Sequence, residues 1–332
     1  MKQSIPRPGR RAALPMLSAL FAAPMLPAFG QSGYPVRPVD LVVAFAPGGS
    51  SDSTARLIGP YLAQKWKQPL NVVNQPGGSG IPGTHHVLRA KPDGYTILLD
   101  AHSNNSMLGA ARGDLPFAWD ARTPIARLYL EPVVYAVKSD APWRTLGDVV
   151  KAVKTNPTGF KWGAGGVGSI GTFSITELFI GSGIDLAATN RVLFNGGGPT
   201  VTALAGGHVQ LVGHQLSEVL PLLSGGLIRP LAVVASARVP QLPDVPTARE
   251  AGFPDLQVAG WTAVSGPPGL PAAVVGQWNA AFREIMGERE MAARAEALGK
   301  IPSHLEAAQF AAYAQDQYKL YRKLAETAGI RK

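Results

Sequence analysis

The chain has no cysteine in 332 residues. That excludes structural disulfides, thiolate zinc sites, thiol nucleophiles and a lipid-modified cysteine at a mature N-terminus. Charge is sparse, at 16% of residues against 46% hydrophobic, too little for a disordered chain and enough apolar material for full cores. After residue 30 no run of 18 uncharged apolar residues occurs, so no spanning helix is expected in the mature chain. A basic stripe interleaved with aromatics is also missing, which argues against nucleic acid as a partner. No Gly-Lys-Ser/Thr follows a glycine loop, and no G-x-S-x-G elbow occurs, which removes the P-loop and the α/β-hydrolase nucleophile. The histidines His85, His86, His102, His208, His214 and His304 include no His-x-x-x-His pair. Neither a metal nor another cofactor is expected.

What is present begins with an address. Lys2, Arg7, Arg10 and Arg11 precede an apolar run, Leu14 to Phe29, broken by Pro15, Pro24 and Pro27. Ala28-Phe29-Gly30 then supplies small residues at both key positions for cleavage after Gly30. This is the layout of a secretory signal peptide, and the run is too short and too broken for a membrane anchor. Export to the periplasm follows, by either the general or the twin-arginine route. The formal charge of +9 loses those four basic residues and no acid with the leader, leaving +5.

The mature length suggests two domains. Leu41–Ala46 is an apolar run fit for a buried strand, followed by the glycine loop Pro47–Asp52 and a helical pattern through Ala55, Leu57, Ile58, Tyr61, Leu62 and Trp66. Leu70–Asn74 is a second strand before the loop Pro76–Gly80, a short helix covers about Thr84 to Arg89, and Tyr95–Leu99 is a third strand. The pattern returns in mid-chain. Strands at Val133–Val137, Phe160–Gly163, Arg191–Phe194, Val209–Val212 and Leu231–Val234 alternate with helices, two of them behind the loops Gly163–Ser169 and Asn195–Pro199. Near the C-terminus Phe310, Tyr313, Leu320, Tyr321 and Leu324 form a helical stripe. The class is α/β with parallel strands. Four glycine loops between strand ends and helix starts aim free N–H groups and positive helix ends at one region, a setting for a carboxylate or phosphate between two lobes. Gly163-Ala164-Gly165-Gly166-Val167-Gly168 fits G-x-G-x-x-G, but its strand is weak and it lies mid-chain, so a dinucleotide is not expected.

Six segments in order carry a resemblance. They are Tyr34-Pro35-Val36-Arg37-Pro38, Val43-Ala44-Phe45-Ala46-Pro47-Gly48-Gly49 with Asp52, Asn74-Gln75-Pro76-Gly77, Pro92-Asp93-Gly94-Tyr95-Thr96, Leu242-Pro243-Asp244-Val245-Pro246-Thr247 with Glu250-Ala251-Gly252, and Pro267-Pro268-Gly269-Leu270-Pro271. Together they resemble the Bug family, the periplasmic receptors of tripartite tricarboxylate transporters, over about residues 34–330. The resemblance implies a two-lobed periplasmic-binding-protein type II (Venus flytrap) fold with the ligand in the inter-lobe cleft. Lobe 1 would hold 31–131 and 261–332, lobe 2 would hold 132–260, and the leader 1–30 would be removed.

It further implies a receptor, not an enzyme, working as a monomer. The receptor would bind a small organic carboxylate, whether a di- or tricarboxylate, an amino acid or an aromatic acid, and deliver it to the membrane components of the transporter. A receptor feeding a sensor or orphan pathway, and a secreted hydrolase, are the alternatives. The expected ligand contacts are Phe45, Pro47, Gly48, Gly49, Ser50 and Asp52; His102, Ser103 and Asn104; Gly165, Gly166, Val167, Gly168 and Ser169; and Phe194, Asn195, Gly196, Gly197 and His214. The chain departs from the family pattern at Gln75, Ile81, Asn195, Gln210 and His214. His214 stands where the family often has Asp. Its expected effect, together with Asn195, is to remove a fixed negative charge and admit a second acidic group on the ligand.

Overall fold

The computed structural model describes residues 33–331, with residues 1, 3 and 4. The leader's apolar run and its cleavage site near Gly30 lie outside the described residues. Tyr34–Lys332 forms one compact unit, and the account below concerns it. The elements in chain order are β1 (Val39–Val43), α1 (Ser50–Trp66), β2 (Leu70–Asn74), α2 (Ile81–Leu88), β3 (Thr96–Ala101), α3 (Leu108–Ala111), β4 (Thr123–Glu131), β5 (Val133–Lys138), α4 (Leu146–Thr155), β6 (Lys161–Ala164), α5 (Ile170–Gly181), β7 (Asn190–Leu193), α6 (Gly197–Ala205), β8 (Leu211–Gln215), α7 (Leu216–Ser224), β9 (Ile228–Val234), β10 (Gly260–Gly266), α8 (Ala272–Gly287), α9 (Arg289–Ala297), β11 (Ile301–Glu306) and α10 (Ala307–Thr327).

The strands form two sheets, ordered β11-β4-β10-β3-β1-β2 and β7-β6-β8-β5-β9. The apolar run in β1 is explained by its place. It pairs in parallel with β2 and β3, and Leu41, Val42 and Val43 are all buried, as a strand covered on both faces requires. The same holds for β5. Val133, Tyr135 and Val137 face one core with Trp162 and Phe173, while Val134 and Ala136 face another with Val201 and Val212. The expectation of parallel strands holds for only part of each sheet. β10 runs antiparallel to β3 and β4, and β5 runs antiparallel to β8 and β9. β5 is the first strand after the chain crosses to the second sheet, and β10 the first after it returns.

The chain leaves the first sheet at Glu131 and enters the second at Val133. It returns to the first sheet at Gly260, where β10 begins. Residues 261–332 do not stay with the first sheet throughout. Phe310 and Ala314 of α10 pack on Trp261 and Ala263 of β10, whereas Tyr321, Ala325 and Ile330 lie in the core of the second sheet with Phe173 and Trp162. The face of α10 that is buried is therefore Phe310, Ala314, Tyr321 and Ala325, and the expected Tyr313, Leu320 and Leu324 are only partly covered. Among the described residues no helix is long and apolar enough to cross a membrane.

Candidate functional site

Strands β1, β3, β6, β7 and β8 all end at one cleft between the sheets. There Gly49 caps α1 with extended backbone (φ −78°, ψ 173°), Ser169 caps α5 through its side chain, and Gly196, at φ 109°, caps α6. Three helix N-termini thus converge on a cavity of about 50 Å³. Each carries roughly half a positive elementary charge.

Of the expected contacts, Phe45, Pro47, Gly49, Ser50, His102, Ser103, Gly165, Ser169, Asn195, Gly196, Gly197 and His214 line this cavity. Gly166, Val167 and Phe194, with the Pro76–Gly80 loop, line an adjoining cavity of about 260 Å³ that shares Phe45, Gly165 and Asn195 with the first. Gly48, Asp52, Asn104 and Gly168 line neither, and each has a bracing role instead. Gly48 makes the turn at φ +82°, and its N–H donates to Asp52 Oδ2 at 3.0 Å. Asp52 also accepts from Asn74 and Arg56. Burial pushes its carboxyl up, but these bonds outweigh burial and hold it below the usual carboxylate range. The Asn104 side chain accepts from Ala101 N–H and donates to Thr84. A Cβ at Gly168 would lie 2.9 Å from Leu108 Cα, across from the other sheet.

Two further pieces are built behind the cavity. Lys300 and Glu131 have fully buried side chains 3.2 Å apart. Lys300 Nζ also donates to Ser50 O and Oγ at 3.2 and 2.8 Å, while Glu131 accepts from Ser50 and Thr262 hydroxyls. All three ammonium hydrogens have acceptors, and the start of α1 is pinned from below. Burial pushes the Glu131 carboxyl up, but Lys300 and the hydroxyls hold it below the ordinary value. The second piece is His102, whose imidazole is buried, which favours the neutral form. Nδ1 lies 3.0 Å from both the N–H and the carbonyl oxygen of Trp261. Nε2 stands 3.2 Å from the Gln215 amide nitrogen, which donates to it. The other end of that amide, Oε1, is buried at the cavity and has no partner.

Sequence reasoning missed Gln215 and Glu218, and both line the cavity. Glu218 Oε2 lies 2.8 Å from His214 Nδ1, and Oε1 lies 3.5 Å from Ser50 N–H across the cleft. The i, i+4 spacing to His214 was the available signal. A carboxylate therefore stands four residues beyond His214 in the cleft, and His214 is its partner.

The family profile described as "Tripartite tricarboxylate transporter family receptor" matches residues 54–330. The chain belongs to this family. It is 29% identical over 272 residues to Protein BugT of Bordetella pertussis, covering 81% of this chain and 82% of that protein. An R. palustris protein solved with adipate superposes with a TM-score of 0.85 at 28% identity, covering 90% of this chain and 99% of that one. MatC of Rhodopseudomonas palustris, solved with malate, superposes with a TM-score of 0.81 at 30% identity, over 88% of this chain and all of that one. This chain is a family receptor with the periplasmic-binding fold of those relatives. The Bug resemblance and the receptor role read from the sequence agree with these findings.

A larger cavity of about 690 Å³ lies elsewhere, lined by Leu130, Pro132, Leu216, Arg238, Val239 and Lys300 among others. It receives none of the three converging helix starts.

Proposed function

We propose that this receptor closes on a small organic carboxylate at the strand ends between its two sheets and hands it to the membrane components of a tripartite tricarboxylate transporter. The observation that carries the reading is the convergence of the α1, α5 and α6 N-termini on one buried cavity. The adipate and malate bound by similar proteins support it. The ligand contacts are the twelve expected residues that line the cavity, with Gln215 added. The two lobes are residues 31–131 with most of 261–332, and 132–260. Closure is a hinge motion about the crossings at Glu131–Val133 and Gly260. The receptor works in the periplasm as a monomer after loss of the leader near Gly30, and it performs no covalent chemistry. A thermal-shift screen of organic acids tests this. A ligand at a hundred times its Kd stabilises the native state by about 2.7 kcal/mol, several degrees for a chain of this size. At least one carboxylate should raise the midpoint, and a panel with no effect contradicts the reading.

A further inference from the structure

We propose that Glu218 makes this cleft selective for zwitterionic ligands, namely α-amino acids or compounds that likewise carry an ammonium beside a carboxylate. The inference rests on the carboxylate-receptor reading above and narrows it.

The charge around the cavity is lopsided in an unexpected sense. Among its described lining residues there is no Lys or Arg, and Glu218 is the one acidic side chain. Lys300 lies beneath Ser50, but its charge is matched by Glu131. Arg112 borders the adjoining cavity and is paired with Asp114. The positive potential therefore comes from helix ends, and the fixed negative charge comes from Glu218.

Glu218 is placed to meet a ligand. Its side chain is only 8% exposed. It reaches across the cleft into a gap left by two glycines. A Cβ at Gly197 would overlap the carboxylate, and one at Gly49 would lie 3.7 Å from Oε1. An ionised carboxylate can accept about four hydrogen bonds, and Glu218 takes a good one from His214 and a long one from Ser50. Capacity remains for an ammonium. A second, independent observation also points to the ligand's ammonium. Gln215 is 6% exposed and lines the same cavity, and its Oε1, an acceptor three residues from Glu218, has no partner. The helix starts thus offer donors for a carboxylate, and Glu218 with Gln215 Oε1 offers acceptors for an ammonium, as a zwitterion requires.

A ligand with a second carboxylate in place of the ammonium would set two like charges a few ångströms apart. At about 4 Å and an effective dielectric near 20 that repulsion is worth roughly a thousandfold in affinity, and solvent screening lowers it.

The test is calorimetric titration of the full-length exported protein with paired probes that differ by the amino group: L-aspartate against succinate, L-glutamate against glutarate, and L-leucine against 4-methylpentanoate. In the pair of best-fitting size the amino acid should bind at least tenfold tighter. Glu218→Gln should abolish that preference, chiefly by weakening the amino acid. Glu218→Asp, which keeps the charge, should retain part of it, and thermal midpoints of both variants establish that they fold. Des-amino acids that bind wild type as tightly as their amino partners would overturn the proposal and leave the carboxylate reading standing. So would a preference that survives in Glu218→Gln. Failure of every acid in both classes to bind wild type would overturn the carboxylate reading and this proposal with it.

Discussion

Two glycines of the cleft separate the shaping of a loop from the reception of a ligand. Gly49 has φ −78° and ψ 173°, a conformation open to any residue. A Cβ there would meet Ala46 O at 3.5 Å and Glu218 Oε1 at 3.7 Å, both ordinary contacts. Gly49→Ala therefore introduces little strain, and the gain of about 0.4–1 kcal/mol from lower unfolded-state entropy is offset by alanine's poorer fit at an N-cap, so stability should change by less than about 1 kcal/mol. The methyl group nevertheless projects into a cavity of about 50 Å³. On that measure one water needs only about 10–15 Å³, so the cavity holds a few water-sized groups, the methyl takes a substantial share of it, and binding should weaken at least tenfold. Gly165 is the opposite case. Its Cβ would lie 2.7 Å from the carbonyl carbon of Gly196 and 3.0 Å from that residue's Cα, all backbone. Gly165→Ala must push two cleft loops apart, at about 1–3 kcal/mol. Urea unfolding and calorimetry on both variants give the comparison. A loss of 2 kcal/mol or more in Gly49→Ala, or its unchanged affinity for the tightest ligand, would refute the assignment of Gly49 to the ligand.

Other consequences follow from the buried charges. Lys300→Met leaves Glu131 ionised and uncompensated, and should lose on the order of 3–5 kcal/mol in urea unfolding. Lys300→Met with Glu131→Gln should recover part of this, and a single-variant loss below 1 kcal/mol would contradict the pinning role. Glu177, whose carboxylate accepts from Gln257 and Val258 N–H groups, is pushed up to about 7 by burial. A raised acid pKa stabilises the fold below the unfolded value and loses that contribution as pH rises through 7. From pH 5 to 8 wild type should lose up to about 3 kcal/mol that Glu177→Gln does not, and parallel pH profiles would exclude this. His102→Ala should remove the acceptor of the Gln215 amide N–H, weakening ligand binding about tenfold. Unchanged affinity by calorimetry would show that His102 does not orient Gln215.

Strands whose burial is two-sided were legible because their composition reports it. Leu41–Val43 and Val133–Val137 are apolar without alternation and sit inside their sheets. β4 was not legible. It carries Pro124 and Arg127, and Arg127 is accommodated by Ser303 of β11, 176 residues away. α6 starts at Gly197, three residues before Thr200, because glycines that read as loop lie within its first turn. The loops that form the cleft were readable from glycine at strand ends. Which glycines face the ligand was not, since Gly48 and Gly49 differ only in φ. Glu218 lies beyond the strand-to-helix junction Gln215–Leu216, and its approach to Ser50 spans 168 residues. The Lys300–Glu131 pair likewise joins distant segments that carry no local pattern.

The proposed ligand carboxylate sits among the helix starts in the small cavity, in preference to the larger one beside the chain crossing. A crystal structure with the tightest ligand from an organic-acid screen tests that directly. The expected result is a ligand carboxylate oxygen within hydrogen-bond distance of a backbone N–H at the start of α1, α5 or α6, outside the gap between Gly49 and Gly197 that Glu218 fills. A ligand seated instead against Pro132, Leu216 and Val239, with the α1 start untouched, would contradict it.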